Sequence, residues 1–119
     1  MGSRARLSHL FIVVSDLARS REFYVGSLGL EVLVDEPGYL RVGGRDGFHL
    51  GIEEGEPAQV GATGIEIVVE VDDVDSRYRE LVAPGVTFNG PPEDQPWGAR
   101  HAWLSDPDGY RLSIFTPAP

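Results

Sequence analysis

Three residues in this chain, a glutamate and two histidines in apolar runs, are candidates to hold a metal ion. His9 opens the run His9-Leu10-Phe11-Ile12-Val13-Val14-Ser15-Asp16-Leu17. Glu66 opens a near copy, Glu66-Ile67-Val68-Val69-Glu70-Val71-Asp72-Asp73-Val74. His49 lies in a third apolar run, Phe48-His49-Leu50-Gly51-Ile52. Two imidazoles and a carboxylate with open positions suit a divalent metal: non-haem Fe(II), Mn(II), Ni(II) or Zn(II). The same residues have plainer readings, as hydrogen-bonded strand histidines and a solvated glutamate. No compact motif such as HExxH is present, so spacing alone does not choose between them.

Whether these side chains meet depends on the faces their strands show. Strand side chains alternate between faces. In the first run Leu10, Ile12 and Val14 suit a core, which leaves His9, Phe11 and Val13 opposite. Phe48, Leu50 and Ile52 send His49 and Gly51 the other way. Ile65, Ile67, Val69 and Val71 place Glu66, Val68 and Glu70 on the open side. In the last strand Tyr110, Leu112 and Ile114 suit the core, so Ser113 faces away. Ala102 and Leu104 leave His101 and Trp103 on the open side. His9, His49, Glu66 and Ser113 are thus expected to share a face, with His101 beside them.

The elements that carry these residues follow one order twice, and a repeat that fills a chain constrains its architecture strongly. Strands are expected over 8–14, 31–35, 39–42 and 48–53, with an amphipathic helix from Leu17 to Leu28 capped by Ser15 or Asp16 and stopped at Gly29. The second half predicts strands over 65–71, 86–88, 99–104 and 110–115, and a helix from Val74 to about Ala83 capped by Asp73. A Pro-rich loop is expected over 90–98, and Asp106-Pro107-Asp108-Gly109 suits a type I turn. The fold class is α+β: two βαβββ modules, 7–54 and 64–116, joined by a linker, 55–63, in a single domain, 1–119. One helix covers one sheet face, so the other must line a ligand-binding cleft or pack on a partner.

Bulk properties narrow the functions. The 119 residues carry a formal net charge of −9, which disfavours nucleic acid and anionic membranes as partners. There is no cysteine, hence no disulfide framework or thiolate chemistry. No apolar run reaches the ~18 residues of a membrane span. The opening Met-Gly-Ser-Arg-Ala-Arg lacks a signal-peptide core, and a cytoplasmic protein is expected. Unpaired sheet edges and a half-open cleft favour a homodimer.

His9…Val14-Ser15-Asp16-Leu17…Ser20…Phe23-Tyr24…Leu28-Gly29-Leu30 resembles the opening of the vicinal oxygen chelate superfamily. That superfamily includes glyoxalase I, bleomycin- and fosfomycin-resistance proteins and extradiol dioxygenases. Val71-Asp72-Asp73-Val74, Pro96-Trp97-Gly98 and Asp106-Pro107-Asp108-Gly109 resemble its second half. The resemblance spans about residues 7–116 and implies two βαβββ modules forming a cleft of curved sheets, often completed across a homodimer. Metal-dependent members draw ligands from the first, fourth, fifth and eighth strands. The resemblance maps these onto His9, His49 (or, with a register slip, Gly51 or Glu53), Glu66 and Ser113. A metal-dependent member normally has Glu where this chain has Ser113, and a neutral hydroxyl is a poor ligand for a divalent ion.

Two functions follow from different classes. One is a metal-dependent lyase, isomerase or dioxygenase acting on an oxygen-rich small substrate. His9, His49 and Glu66 would hold the ion, and Glu70 would carry a proton if desolvated. The other is a non-catalytic, bleomycin-resistance-like binder of a small or drug molecule. Phe11, Trp97, His101, Trp103, Ser113 and Phe115 are the candidate ligand contacts in either case, with Tyr39 a further stacking surface. Arg100 reads as a solvated residue at the start of its strand.

Overall fold

The computed structural model describes residues 8–44, 46–57 and 65–118. The chain divides into two compact units, Met1–Ala58 and Gln59–Pro119. Part of the expected linker, residues 58–63, lies outside the described residues, as does Gly64. Each unit holds a four-stranded sheet, and the architecture is α+β.

The first unit runs β1 (His9–Val14), α1 (Leu17–Arg21), β2 (Glu31–Glu36), β3 (Tyr39–Gly43) and β4 (His49–Glu54). The strand order is β1-β4-β3-β2, with β1 parallel to β4 and the other pairs antiparallel. Asp16 caps α1, its Oδ1 accepting from Arg19 N at 3.1 Å. Leu17 N donates to Glu54 Oε1 at 2.9 Å, which ties the helix start to the end of β4. The expected single α-helix to Leu28 changes character halfway, and Glu22–Ser27 forms a π-helical turn. Leu28 N reaches back five residues to Phe23 O at 2.9 Å. The wider turn lets the adjacent Phe23 and Tyr24 both bury, edge to face with centroids 5.0 Å apart. They cover Ile12, Val14, Leu40, Val42, Leu50 and Ile52, the buried side of the sheet.

The second unit runs β5 (Ile67–Glu70), α2 (Val74–Val82), β6 (Glu93–Asp94), β7 (Arg100–Ser105) and β8 (Arg111–Thr116), ordered β5-β8-β7-β6. Asp73 caps α2 through Asp75 N and Ser76 N. Val74 N donates to Thr116 Oγ1 at 2.9 Å, the counterpart of the Leu17–Glu54 tie. In the β7–β8 turn Asp106 Oδ1 accepts from Asp108 N and Tyr110 N, and Gly109 takes a positive φ of 93°. Val74, Leu81, Ala102, Leu104, Leu112 and Ile114 form the buried side.

Three local expectations are corrected. Residues 86–88 form no strand, and Phe88 makes only an isolated bridge to Leu104. The edge strand forms instead at Glu93–Asp94, inside the expected loop, where Asp94 pairs in register with Arg100 and accepts from its Nη1 at 3.1 Å. Phe48 and Ile65 were expected in the core but are exposed, because β4 and β5 begin after them and alternation does not reach them. Arg100 is not merely solvated: its guanidinium also forks onto both oxygens of Asp75 at 3.0 and 3.1 Å, clamping α2 to β7. No helix among the described residues is long and apolar enough to cross a membrane.

Leu112 is fully buried between the sheet and α2, so Leu112→Ala should cost about 3 kcal/mol through lost transfer energy and a cavity. A urea unfolding midpoint checks this; an unchanged midpoint would contradict the core described.

Candidate functional site

In the first unit the strand register turns the open face into three rows. Val13, Glu53, Tyr39 and Glu36 form one; Phe11, Gly51, Arg41 and Val34 the next. His9 and His49 are paired at the head of the third. Gly51 leaves a gap that its neighbours fill. A Cβ placed there would meet Tyr39 Oη at 2.7 Å and His9 Cδ2 at 3.2 Å. Arg41 Nε donates to Tyr39 Oη at 3.0 Å, and Arg41 Nη2 lies 3.3 Å from His9 Nε2.

These contacts fix the histidine tautomers. A guanidinium only donates, so His9 Nε2 accepts from Arg41. The neutral ring therefore carries its proton on Nδ1, which donates to Ser8 Oγ at 2.9 Å. For His49 the partner is the Gly44 carbonyl at 2.9 Å, which only accepts. His49 Nε2 is thus protonated. One Nε2 lone pair is taken by a cation's N–H, and the other nitrogen bears hydrogen.

In the second unit Glu66, just before β5, is held by three donors. Arg111 Nε and Trp103 Nε1 donate to its Oε1 at 2.8 and 2.9 Å, and Ser113 Oγ donates to Oε2 at 2.9 Å. Burial alone would raise the Glu66 pKa. The hydrogen bonds from Arg111, Ser113 and Trp103, with the Arg111 charge, outweigh it and hold the carboxyl below its ordinary value of 4.5.

Beside this carboxylate runs a wall of rings. His101 stacks on Trp103 and on Phe115, with centroids 5.2 and 5.0 Å apart and ring planes within 16°. Trp97 stands edge-on to His101 at 5.6 Å, and Arg111 lies 5.8 Å from the Trp103 ring centroid. His101 is only 8% exposed, and its Nδ1 is buried without a hydrogen-bond partner among the described residues. Trp97 is 63% exposed and offers an open ring face. Ser113 is fully buried beneath this layer. Glu70 is exposed at the end of β5, opposite Phe115, and lacks the desolvation that its expected proton-carrying role requires.

Comparing the two registers tests the metal set. Phe11 pairs with Gly51 and Val68 with Ser113, and Phe11 and Val68 are repeat equivalents. Gly51 is therefore the counterpart of Ser113, and His49 is not. A ligand set following the repeat would take His9, Gly51, Glu66 and Ser113, of which one has no side-chain donor and one only a hydroxyl. Among the described residues no three His, Cys, Asp or Glu side chains gather into a group able to hold a metal ion. The donor chemistry does not fit a divalent ion. Arg41, Arg111 and the role of the Trp103 indole went unnoticed in the sequence. The available signal was alternation: Tyr39 and Arg41 two apart on one strand, Arg111 and Ser113 on another.

Because Glu66 has a depressed folded-state pKa, its contribution to stability is fully present above its unfolded value, near 4.5, and is lost as pH falls through the folded value. Glu66→Gln should therefore be less stable than the parent at pH 7, and the difference should shrink as the pH is lowered past 4.5. Urea melts across that range check it; a difference independent of pH would contradict an ionised, hydrogen-bonded Glu66.

The family description "Glyoxalase/Bleomycin resistance protein/Dioxygenase superfamily" matches residues 6–114. An uncharacterised protein of Mycobacterium bovis is 30% identical, the match covering 89% of this chain and 80% of that protein. A member of the same superfamily from Sphaerobacter thermophilus is 31% identical with a TM-score of 0.78, over 96% of this chain and 98% of that one. TnmS3, an antibiotic binding protein from a Streptomyces species, is 27% identical with a TM-score of 0.80, over 99% of this chain and 100% of that one. With its repeated βαβββ order and a match over nearly its whole length, the chain belongs to the glyoxalase/bleomycin resistance protein/dioxygenase superfamily.

Proposed function

We propose that this protein is a small-molecule binder that takes a planar aromatic compound on the ring wall of its second unit, without a catalytic metal. The observation that carries the reading is the state of Glu66. Its oxygens already accept from Arg111, Trp103 and Ser113, which use three of about four lone-pair sites and set a guanidinium beside the position a metal cation would take. The same bonds orient Trp103, and with it His101 and Phe115, as a pre-organised stacking surface. Pre-organised rings gain ligand contact with little loss of side-chain entropy.

The antibiotic-binding name of the TnmS3 relative supports this class of ligand. The formal charge of −9 supports a ligand that is neutral or cationic. Trp97 closes over the ligand from the rim and Phe115 stacks against it, while Trp103 stays stacked on His101 and Arg111 remains bound to Glu66. The reading rests on residues of the second unit. No proton transfer is assigned to Glu70. We also read the protein as a homodimer, because among the described residues β1 and β2 in one sheet and β5 and β6 in the other are edge strands within their own units.

The test is a tryptophan fluorescence titration with bleomycin and with a planar aromatic cation such as proflavine. Saturable quenching is expected. Trp97→Ala should weaken it about tenfold, the scale of one lost aromatic contact. Absence of saturable quenching with either compound, or equal affinity in the variant, would count against the ring wall as the binding surface.

A further inference from the structure

We propose that the open sheet face of the first unit carries an oxyanion site, built from Arg41 and Tyr39 over Gly51 and suited to the carboxylate of a small molecule with an apolar body. The inference stands on the first unit alone and does not depend on the ligand proposed for the second.

The chain has 19 acidic and 10 basic side chains, so acidic partners for an arginine are plentiful. Arg21, Arg77, Arg100 and Arg111 each form an ion pair. Arg19 and Arg79 form none among the described residues, but they donate to Ser15 Oγ and Ser76 Oγ close by in sequence. Arg41 forms none among the described residues either, and it reaches across strands instead. Its hydrogen-bond partners are a phenol and a neutral imidazole, and its guanidinium lies 5.9 Å from the Tyr39 ring centroid. Glu53 and Glu36 flank Tyr39 in the adjacent row of the same face, yet neither is within ion-pair distance of Arg41. The positive charge is held in place by neutral partners, without an ion pair among the described residues.

The donors are also arranged for an anion. Of five guanidinium N–H groups, Nε and one on Nη2 are used, which leaves three. Tyr39 Oη accepts from Arg41 and keeps its own proton to donate. His9, by accepting at Nε2, fixes the fork rather than competing with it. A carboxylate accepts such a fork through two oxygens, and the match is planar. Gly51 makes room: any larger side chain would drive Tyr39 Oη out of the cluster, since even a Cβ would come within 2.7 Å of it.

The ligand body follows from the row. Phe11 and Val34 lie on either side of the Gly51–Arg41 pair in register, and Phe11 is 49% exposed. An anion with an aromatic or aliphatic body covers that surface, and a bare inorganic anion does not. His9 thus serves as the acceptor that positions a built-in cation, rather than as a ligand to a bound one.

The experiment titrates the full chain, labelled with 15N, with benzoate, with acetate and with inorganic phosphate. Benzoate is expected to give saturable shifts at the amides of Phe11, Tyr39, Arg41 and Gly51, and to bind more tightly than acetate or phosphate. Arg41→Gln should weaken benzoate about tenfold or more, the scale of charge-assisted hydrogen bonds. Tyr39→Phe, which removes only the hydroxyl, should weaken it about threefold and serves if the arginine variant does not fold. The proposal is overturned if the parent shows no saturable shifts on this face. It is equally overturned if both variants bind as the parent does, or if acetate or phosphate binds as tightly as benzoate.

Discussion

A single short helical segment can cover only one face of a four-stranded sheet, and each unit of this protein has one such segment. The constraint determines most of what is distinctive here. On the covered side the side chains are apolar and packed: Ile12, Leu40, Val42 and Ile52 in one sheet, Leu104, Leu112 and Ile114 in the other. On the open side polar groups cannot be left to chance, because partly buried donors and acceptors are costly when unpaired. Each open face settles this with an arginine. Arg111 is bonded to Glu66, and Arg41 to Tyr39 and His9.

The two solutions differ in what remains to be used. In the second unit cation and anion meet, and the carboxylate is further bonded to Trp103 and Ser113, so the electrostatics are closed and the exposed resource is aromatic surface. In the first unit the cation meets only neutral groups, so the exposed resource is positive charge. The repeat positions show how this diverged. Arg41 pairs with Gly51 across its sheet as Trp103 pairs with Ser113 across the other. One strand position carries a charge beside a gap, and its counterpart carries an indole over a hydroxyl. Family membership accounts for the shared backbone, while these side chains decide the chemistry.

Much of the backbone was legible in the sequence because it is written in period-two alternation. The β1 and β4 faces, the Asp16 and Asp73 caps and the Asp106–Gly109 turn all rest on local rules. What escaped rests on non-local pairing. The π-helical turn reflects the need to bury Phe23 and Tyr24 together, and propensity does not encode that. The edge strand at Glu93–Asp94 is held by Arg100, several residues later, and not by strand-forming side chains. Alternation placed His9, His49 and Glu66 on the faces opposite the buried residues, but it could not say what each atom bonds to. The metal reading depended on free lone pairs, and those are known only once Arg41, Gly44, Trp103, Arg111 and Ser113 are in place.

His9 and Glu66, each bonded to an arginine, are set to hold no divalent metal. Elemental analysis of untagged, desalted protein from metal-supplemented cells, paired with melting curves in added Ni, Mn, Fe(II) or Zn, tests it most directly. A ligand that binds only the folded state raises the melting temperature in proportion to its affinity. The account predicts no stoichiometric metal and no rise with any of the four ions. A stoichiometric ion that survives desalting and is lost in His9→Ala or Glu66→Gln would contradict it and restore the metal-dependent enzyme.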